Sequence, residues 1–230
     1  MAFSGFNHVA YFTNDMKQQL EFFTEVVGME LVALFPMHGI PGASHCFLKM
    51  GKDSFLSFVQ IAGVRVEGVV GVSHARDAGG PVAGGTVQHI SINVDSMDEL
   101  LSLRDRLRSK NYAVFGPVDH SMAQSIYLGA PEGILLEFSS TEGCTEPTTA
   151  RWIEADTGRS LGMSSSDLER YSHPPGYKGQ SGAVPQPDLA HAVYPTPIPR
   201  PMFDALGYLG DAELRQALRF QPDAAHGSDS

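Results

Sequence analysis

The chain of 230 residues carries 26 acidic against 16 basic side chains, a formal net charge of -10, and 42% of its residues are hydrophobic. That balance suits a globular chain with a sizeable core, and it repels nucleic acid and anionic lipid because no run of Lys or Arg builds a local basic patch. The start, MAFSGFNHVAYF, lacks the basic and long apolar segments of an export signal, and no stretch approaches the roughly 18 uninterrupted apolar residues of a membrane span, so a soluble cytoplasmic protein is expected. Cys46 and Cys144 are too few for a disulfide framework and lack the paired spacing of a thiolate zinc site; free thiols in a reducing compartment follow.

In chain order, the first run with strand character, NHVAYF, leads through the cap residues Asn14 and Asp15 into an amphipathic helix. Three further strand runs follow: ELVALFPM, SHCFLKM and SFLSFVQI. Residues 62–86, containing GVVGVSHARDAGGPVAGG, read as a Gly-rich linker, mobile in part. The pattern then starts again. Laying NHVAYFTNDMKQQLEFFTEVVG over QHISINVDSMDELLSLRDRLRS puts His8 over His89, Met16 over Met97 and Leu20 over Leu101, at one offset of 81 residues. The second copy has a capping box at Ser96 and Glu99, a helix with Met97, Leu100, Leu101, Leu103 and Leu107 on one stripe, and the strand runs YAVFGPV, QSIYLG and ILLEFSS. Each copy is therefore β-α-β-β-β.

The fold class expected is α+β: two tandem βαβββ modules, residues 1–61 and 87–140, joined by the linker and forming an open, barrel-like mixed sheet. One such unit leaves a sheet face bare, and two can cover it within one chain or across a dimer. From 141 to 230 the Pro-rich tail, with HPPGYKGQSGAVPQP and YPTPIPRP, favours an irregular C-terminal arm with short helices near Ser164–Tyr171, Pro201–Gly207 and Asp211–Phe220, fraying at AAHGSDS.

Strand alternation singles out a candidate site. In the second copy Ile90, Ile92 and Val94 share one face, and His89, Ser91 and Asn93 the other; in the last strand Leu135, Glu137 and Ser139 lie opposite Ile134, Leu136 and Phe138. His8 takes the place of His89 in the first copy. Two imidazoles and one carboxylate on concave faces match the donor set of a metal centre with open positions, and an unpaired buried Glu137 would be costly without a cation or donors. His38, His45 and His74 stand in loop-like or glycine-rich surroundings, where a solvated surface role is expected, and His173 reaches a site only if the tail folds over it.

These residues resemble the vicinal oxygen chelate superfamily, which includes glyoxalase I, fosfomycin-resistance transferases, bleomycin-binding proteins and type I extradiol dioxygenases. The resemblance covers roughly residues 5–140. It implies an open barrel around a metal held by His8, His89 and Glu137, with Ser57 at the place where glyoxalase I has a fourth, carboxylate ligand; Gln60 nearby keeps that alignment open. SIYLGAPEGILLEF is similar to the extradiol signature in which a tyrosine, here Tyr127, precedes the ligand glutamate, and His120 in PVDHSMAQSIY to an accompanying DH element, although strict alternation puts His120 out of phase with Tyr127. The resemblance therefore implies a dioxygenase using Fe(II), with Mn, Zn or Ni as alternatives, O2 and a small aromatic substrate such as a catechol. Phe12, Phe55, Ser57 and Val59 would line its pocket, and a homodimer is implied. A metal-dependent isomerase, epimerase or thiol transferase, and a non-catalytic antibiotic-binding protein, are the alternatives.

Overall fold

The structure, a computed structural model, describes residues 3–37, 39–146, 152–179, 182–193 and 198–219. Two open four-stranded mixed sheets make up the body of the molecule. In the first module β1 (His8–Phe12), β2 (Glu30–Pro36), β3 (Ala43–Gly51) and β4 (Ser54–Ile61) lie in the order β1-β4-β3-β2, and in the second β5 (Ile90–Asn93), β6 (Phe115–Asp119), β7 (Gln124–Gly129) and β8 (Leu135–Ser140) repeat that order as β5-β8-β7-β6. The first strand of each module pairs parallel with its last, and every other pairing is antiparallel. The α+β class and the tandem βαβββ plan are thus present, with the barrel open.

Each module crosses from its first strand to its second through a helix. Asp15 caps α1 (Met16–Glu21) by accepting the Gln18 N–H, and Ser96 caps α2 (Met97–Ser109) by accepting the Glu99 N–H. Beyond Glu21 the first helix widens into a π-helical turn, Phe22–Val27, and Gly28 ends it in the left-handed conformation at φ 102°. A side chain there would also press on the Arg106 guanidinium, 3.0 Å from the added carbon.

Both sheets turn one face to these helices. Phe22 and Phe23 from the first helix, Leu100 and Leu107 from α2, Leu56 and Phe58 from β4 and Leu136 and Phe138 from β8 all belong to one buried cluster. The modules therefore share a core instead of each keeping its own, and burial of such side chains stabilises by about 1.5–3 kcal/mol apiece. The opposite faces carry His8, Ala10 and Phe12 on β1 and Ser91 and Asn93 on β5, all exposed.

The second module holds both ends of the first helix. At its start, Glu132 in the turn between β7 and β8 accepts from the Thr13 hydroxyl at 2.6 Å, the Asn14 N–H at 2.8 Å and the Gln19 amide at 2.9 Å. At its end, Arg106 donates to the carbonyls of Val26 at 2.8 Å and Glu25 at 3.2 Å. An anion at a helix N-terminus and a cation at its C-terminus complement the unpaired backbone groups and the helix dipole.

The linker is tied down at several points. Asn14 pairs with Val66 through both backbone groups at 2.9 Å, and Gln88 reaches the carbonyls of Asp77 and Gly80. His74 packs against Gly133, where φ is +79° and any Cβ would lie 2.5 Å from the imidazole Nε2; only glycine fits that contact.

After β8, α3 (Ala155–Ser160), which the sequence reading passed over, and α4 (Ser165–Ser172) belong to the same compact unit, Ala2–Pro174. Residues from Pro175 onward form a separate unit with α5 (Arg200–Leu206) and α6 (Asp211–Ala217). Phe220 and the AAHGSDS terminus lie outside the described residues. Among the described residues no helix is long and apolar enough to cross a membrane.

Burial pushes the Glu132 carboxyl up, but its bonds to Thr13, Asn14 and Gln19 outweigh this and hold it below the ordinary value of 4.5. A lowered folded-state value means a stabilisation present above pH 4.5 and lost as pH falls through that lower value. Glu132→Gln should therefore cost about 1 kcal/mol at neutral pH, a fall in Tm of about 2–4 °C. Thermal melts at pH 7 and pH 3 check this: the difference between variant and parent should shrink in acid.

Candidate metal centre

Glu137 sits mid-strand in β8, its side chain 10% exposed, on the face turned away from the helices. Its position follows from parity: Leu136 and Phe138 fill the core, so Glu137 must point to the other side. Ser91 is its neighbour on β5 and Tyr127 its neighbour on β7. His89, one residue before β5, brings its Nε2 to 2.9 Å from Glu137 Oε2, while its Nδ1 is bonded to the Gln88 side-chain oxygen.

That arrangement has a chemical consequence. With the hydrogen on Nδ1 engaged by Gln88, the Nε2 lone pair of a neutral ring faces a carboxylate oxygen, and only a proton or a metal cation between them makes the contact favourable. An imidazole nitrogen beside a carboxylate oxygen suits a first-row divalent ion.

The other carboxylate oxygen is held from below. Ser139 donates to Glu137 Oε1 at 3.0 Å, Ser125 bonds Ser139 at 2.9 Å, and Ser91 bonds Ser139 at 2.7 Å. Burial alone would push the Glu137 carboxyl up; hydrogen bonds from Ser125, Ser139 and Tyr127, with the charge that His89 carries when protonated, outweigh it and hold the group below its ordinary value. The anion is the favoured form, as a ligand requires.

Tyr127 faces His89 at 6.4 Å between ring centroids and bonds His120 Nε2 through its hydroxyl at 2.8 Å. His120 escapes the strand phase because β6 ends at Asp119, and a turn with Ser121 at φ +65° re-aims it. Burial first, then the Glu137 charge, raises the Tyr127 pKa, which keeps the phenol protonated. Linker residues Arg76, Asp77 and Gly79 close a cavity of about 580 Å³ over His89, His120 and Tyr127.

The remaining sequence candidates lie on the first sheet. His8 bonds Asn7 at 2.7 Å and meets Phe47 edge-on at 5.4 Å. Phe12, Phe55, Ser57 and Val59 share its face, with Phe12 41% exposed and Ser57 fully buried. Among the described residues, no three His, Cys, Asp or Glu side chains group to hold an ion, so one chain brings His89 and Glu137 together without His8. His45, expected at the solvated surface, is half-buried within β3, the strand run SHCFLKM, on the same face as Phe47, because Cys46 and Leu48 take the core positions. His74 lies in the linker and lines a second cavity with His89, whereas His173 caps α4 and pairs with Glu169 at the surface. His38 lies outside the described residues.

With this geometry stands a family match: residues 5–138 fit the Glyoxalase/Bleomycin resistance protein/Dioxygenase superfamily. The chain belongs to that superfamily. Solved structures similar to it include a glyoxylase/bleomycin resistance protein/dioxygenase domain from Frankia sp. EAN1pec, 16% identical with a TM-score of 0.48, covering 61% of this chain and 99% of that one. Another is TnmS3, an antibiotic binding protein from Streptomyces sp. CB03234, 19% identical with a TM-score of 0.44 over 61% and 98% of the two chains. A third is the fosfomycin resistance protein FosX from Listeria monocytogenes, complexed with Mn(II) and sulfate, 13% identical with a TM-score of 0.39 over 60% and 93%. Among curated proteins there is no match to this chain.

Removing the donor beneath Glu137 tests the electrostatics directly. Ser139→Ala takes a hydrogen bond from the charged form and leaves the burial, so the Glu137 carboxyl should titrate at higher pH. Carbon-detected NMR of the metal-free protein checks this; an unmoved titration would remove the serines from the account.

Proposed function

We propose that this superfamily member is a metal-dependent ring-cleaving dioxygenase of the extradiol type, acting on a catechol or a similarly chelating aromatic with O2. The observation that carries the reading is the 2.9 Å contact between His89 Nε2 and Glu137 Oε2, set in a cavity beside the Tyr127–His120 pair. His8, exposed at the matching place of the first sheet, supplies the third ligand from a second copy of the chain, so that the bare face of one copy covers that of the other. An uncovered wall that exposes 72% of Phe115 and 41% of Phe12 supports that closure.

When bound, Fe(II) would chelate the two vicinal oxygens of substrate and carry electron density to O2. The residues do the rest. Tyr127, kept protonated, donates a hydrogen bond to a substrate oxygen; His120, on its hydroxyl, exchanges the proton with solvent. Ser139 and Ser125 fix the Glu137 carboxylate so that Oε2 faces His89, and Phe12, Phe55 and Val59 exclude water from the ring. Ser57 where a carboxylate would complete a fourth ligand leaves a position open, which favours an oxygenase over a glyoxalase-type isomerase. Manganese, zinc or nickel would serve the isomerase or transferase chemistry instead. The proposed setting is the cytoplasm, consistent with free Cys46 and Cys144.

Anaerobic loading with Fe(II) followed by catechol and air should consume oxygen and yield a yellow ring-opened product. Glu137→Gln, which removes a ligand's charge, should weaken metal binding by more than the roughly 10- to 100-fold that loss of an outer-shell partner costs. Mixing His8→Ala with Glu137→Gln chains under exchange should restore about a quarter of the sites, since half of the random dimers would carry one intact centre. No recovery would place all ligands in one chain; full activity with zinc, or without oxygen, would overturn the dioxygenase.

A further inference from the structure

The open face of the first sheet carries a polar pair that the metal centre does not use. His45 Nε2 lies 2.5 Å from the hydroxyl of the fully buried Ser57. The imidazole packs 4.5 Å from the Phe47 ring and 5.6 Å from Phe35, and Phe47 meets Phe55 edge-on at 6.1 Å. Its Nδ1 makes no hydrogen bond among the described residues. Beside His8, which meets Phe47 edge-on at 5.4 Å, a second imidazole thus stands in an aromatic wall.

Comparison of the two sheets sharpens this. Ala10 faces Ser57 across β1 and β4 as Ser91 faces Glu137 across β5 and β8, and Phe47 faces Ser57 as Tyr127 faces Glu137. In the second module a serine serves an acid; in the first a histidine serves a serine. Where the second sheet has its acid, the first has a ring-lined hydrogen-bonding group. A neutral imidazole at that place can both donate and accept.

We propose that His45, anchored by Ser57 and walled by Phe35, Phe47 and Phe55, is a recognition subsite for the hydroxyl of a planar phenolic ring. Phenyl edges and faces hold the ring, and His45 Nδ1 takes the hydroxyl. Toluene satisfies the wall alone and cyclohexanol the imidazole alone; a phenol satisfies both. The subsite deepens the aromatic-substrate reading and rests on it for the physiological ligand, but not for its geometry.

The test is calorimetric and NMR titration of the full-length, metal-free protein with phenol, toluene and cyclohexanol. Phenol should bind about tenfold tighter than either control, one good hydrogen bond's worth. His45→Ala and Ser57→Ala should each remove that advantage and leave toluene within about twofold. His45→Gln, which keeps a donor and an acceptor, should retain most of it and guards against a folding defect in the alanine variants. Phenol affinity unchanged in His45→Ala overturns the subsite, as does a loss of Fe(II) affinity in that variant, which would make His45 a ligand. Phenol that binds only by splitting an oligomer overturns it too, the face then being an interface alone. The two readings fail separately: phenol selectivity in a protein that consumes no oxygen leaves the subsite and removes the dioxygenase, and oxygen consumption by an unaltered His45→Ala enzyme does the reverse.

Discussion

The first helix is held at both ends by the other module, and the rest of the structure depends on that clasp. Glu132 takes the N-terminal donors and Arg106 the C-terminal carbonyls, so charges from the other module join Asp15 in compensating the helix dipole. The clasp aligns the helix-facing sides of both sheets over one core. A shared core on that side fixes the opposite faces as the open ones, and Glu137, Tyr127, Ser57 and His45 stand there. The site is a consequence of where the core is.

Rigidity also explains how a carboxylate can be kept charged in a half-enclosed place. Glu137 gains nothing from solvent, yet three serines on adjacent strands, Ser91, Ser125 and Ser139, form a hydroxyl chain beneath it. Small hydroxyls on strands lose little side-chain freedom when ordered, so their hydrogen bonds come at low entropic cost. The strands set the spacing and the serines convert it into orientation.

Much of this was legible in the sequence, because the signals were local or periodic. The 81-residue offset exposed the duplication, and period-two alternation placed Glu137 opposite Leu136 and Phe138 before any coordinates. What was illegible was long-range. Nothing around Glu132 announces a partner 119 residues away in Thr13, or around Arg106 one 80 residues away in Val26. The run SHCFLKM placed His45 in a strand, but the glycines and proline ahead of it point to solvent exposure, whereas the rings of Phe35 and Phe47 half-bury it. His120 was the reverse case: alternation excluded it, and a left-handed Ser121 restored it.

The two halves began as one pattern and no longer do the same work. On the second sheet, Glu137, His89, Tyr127 and His120 make a wall of charge and hydrogen bonds, suited to an ion and to oxygens bound on it. On the first, the matching places hold Ser57, His8 and Phe47, and the surroundings are Phe12, Phe35 and Phe55. If the proposed chelating aromatic is the ligand, this divergence would give it one wall for its oxygens and one for its ring. A carboxylate at position 57 would set an anion beside Phe47 and Phe55, where its desolvation would be costly. A serine there supplies no anionic donor and leaves the first sheet an aromatic face.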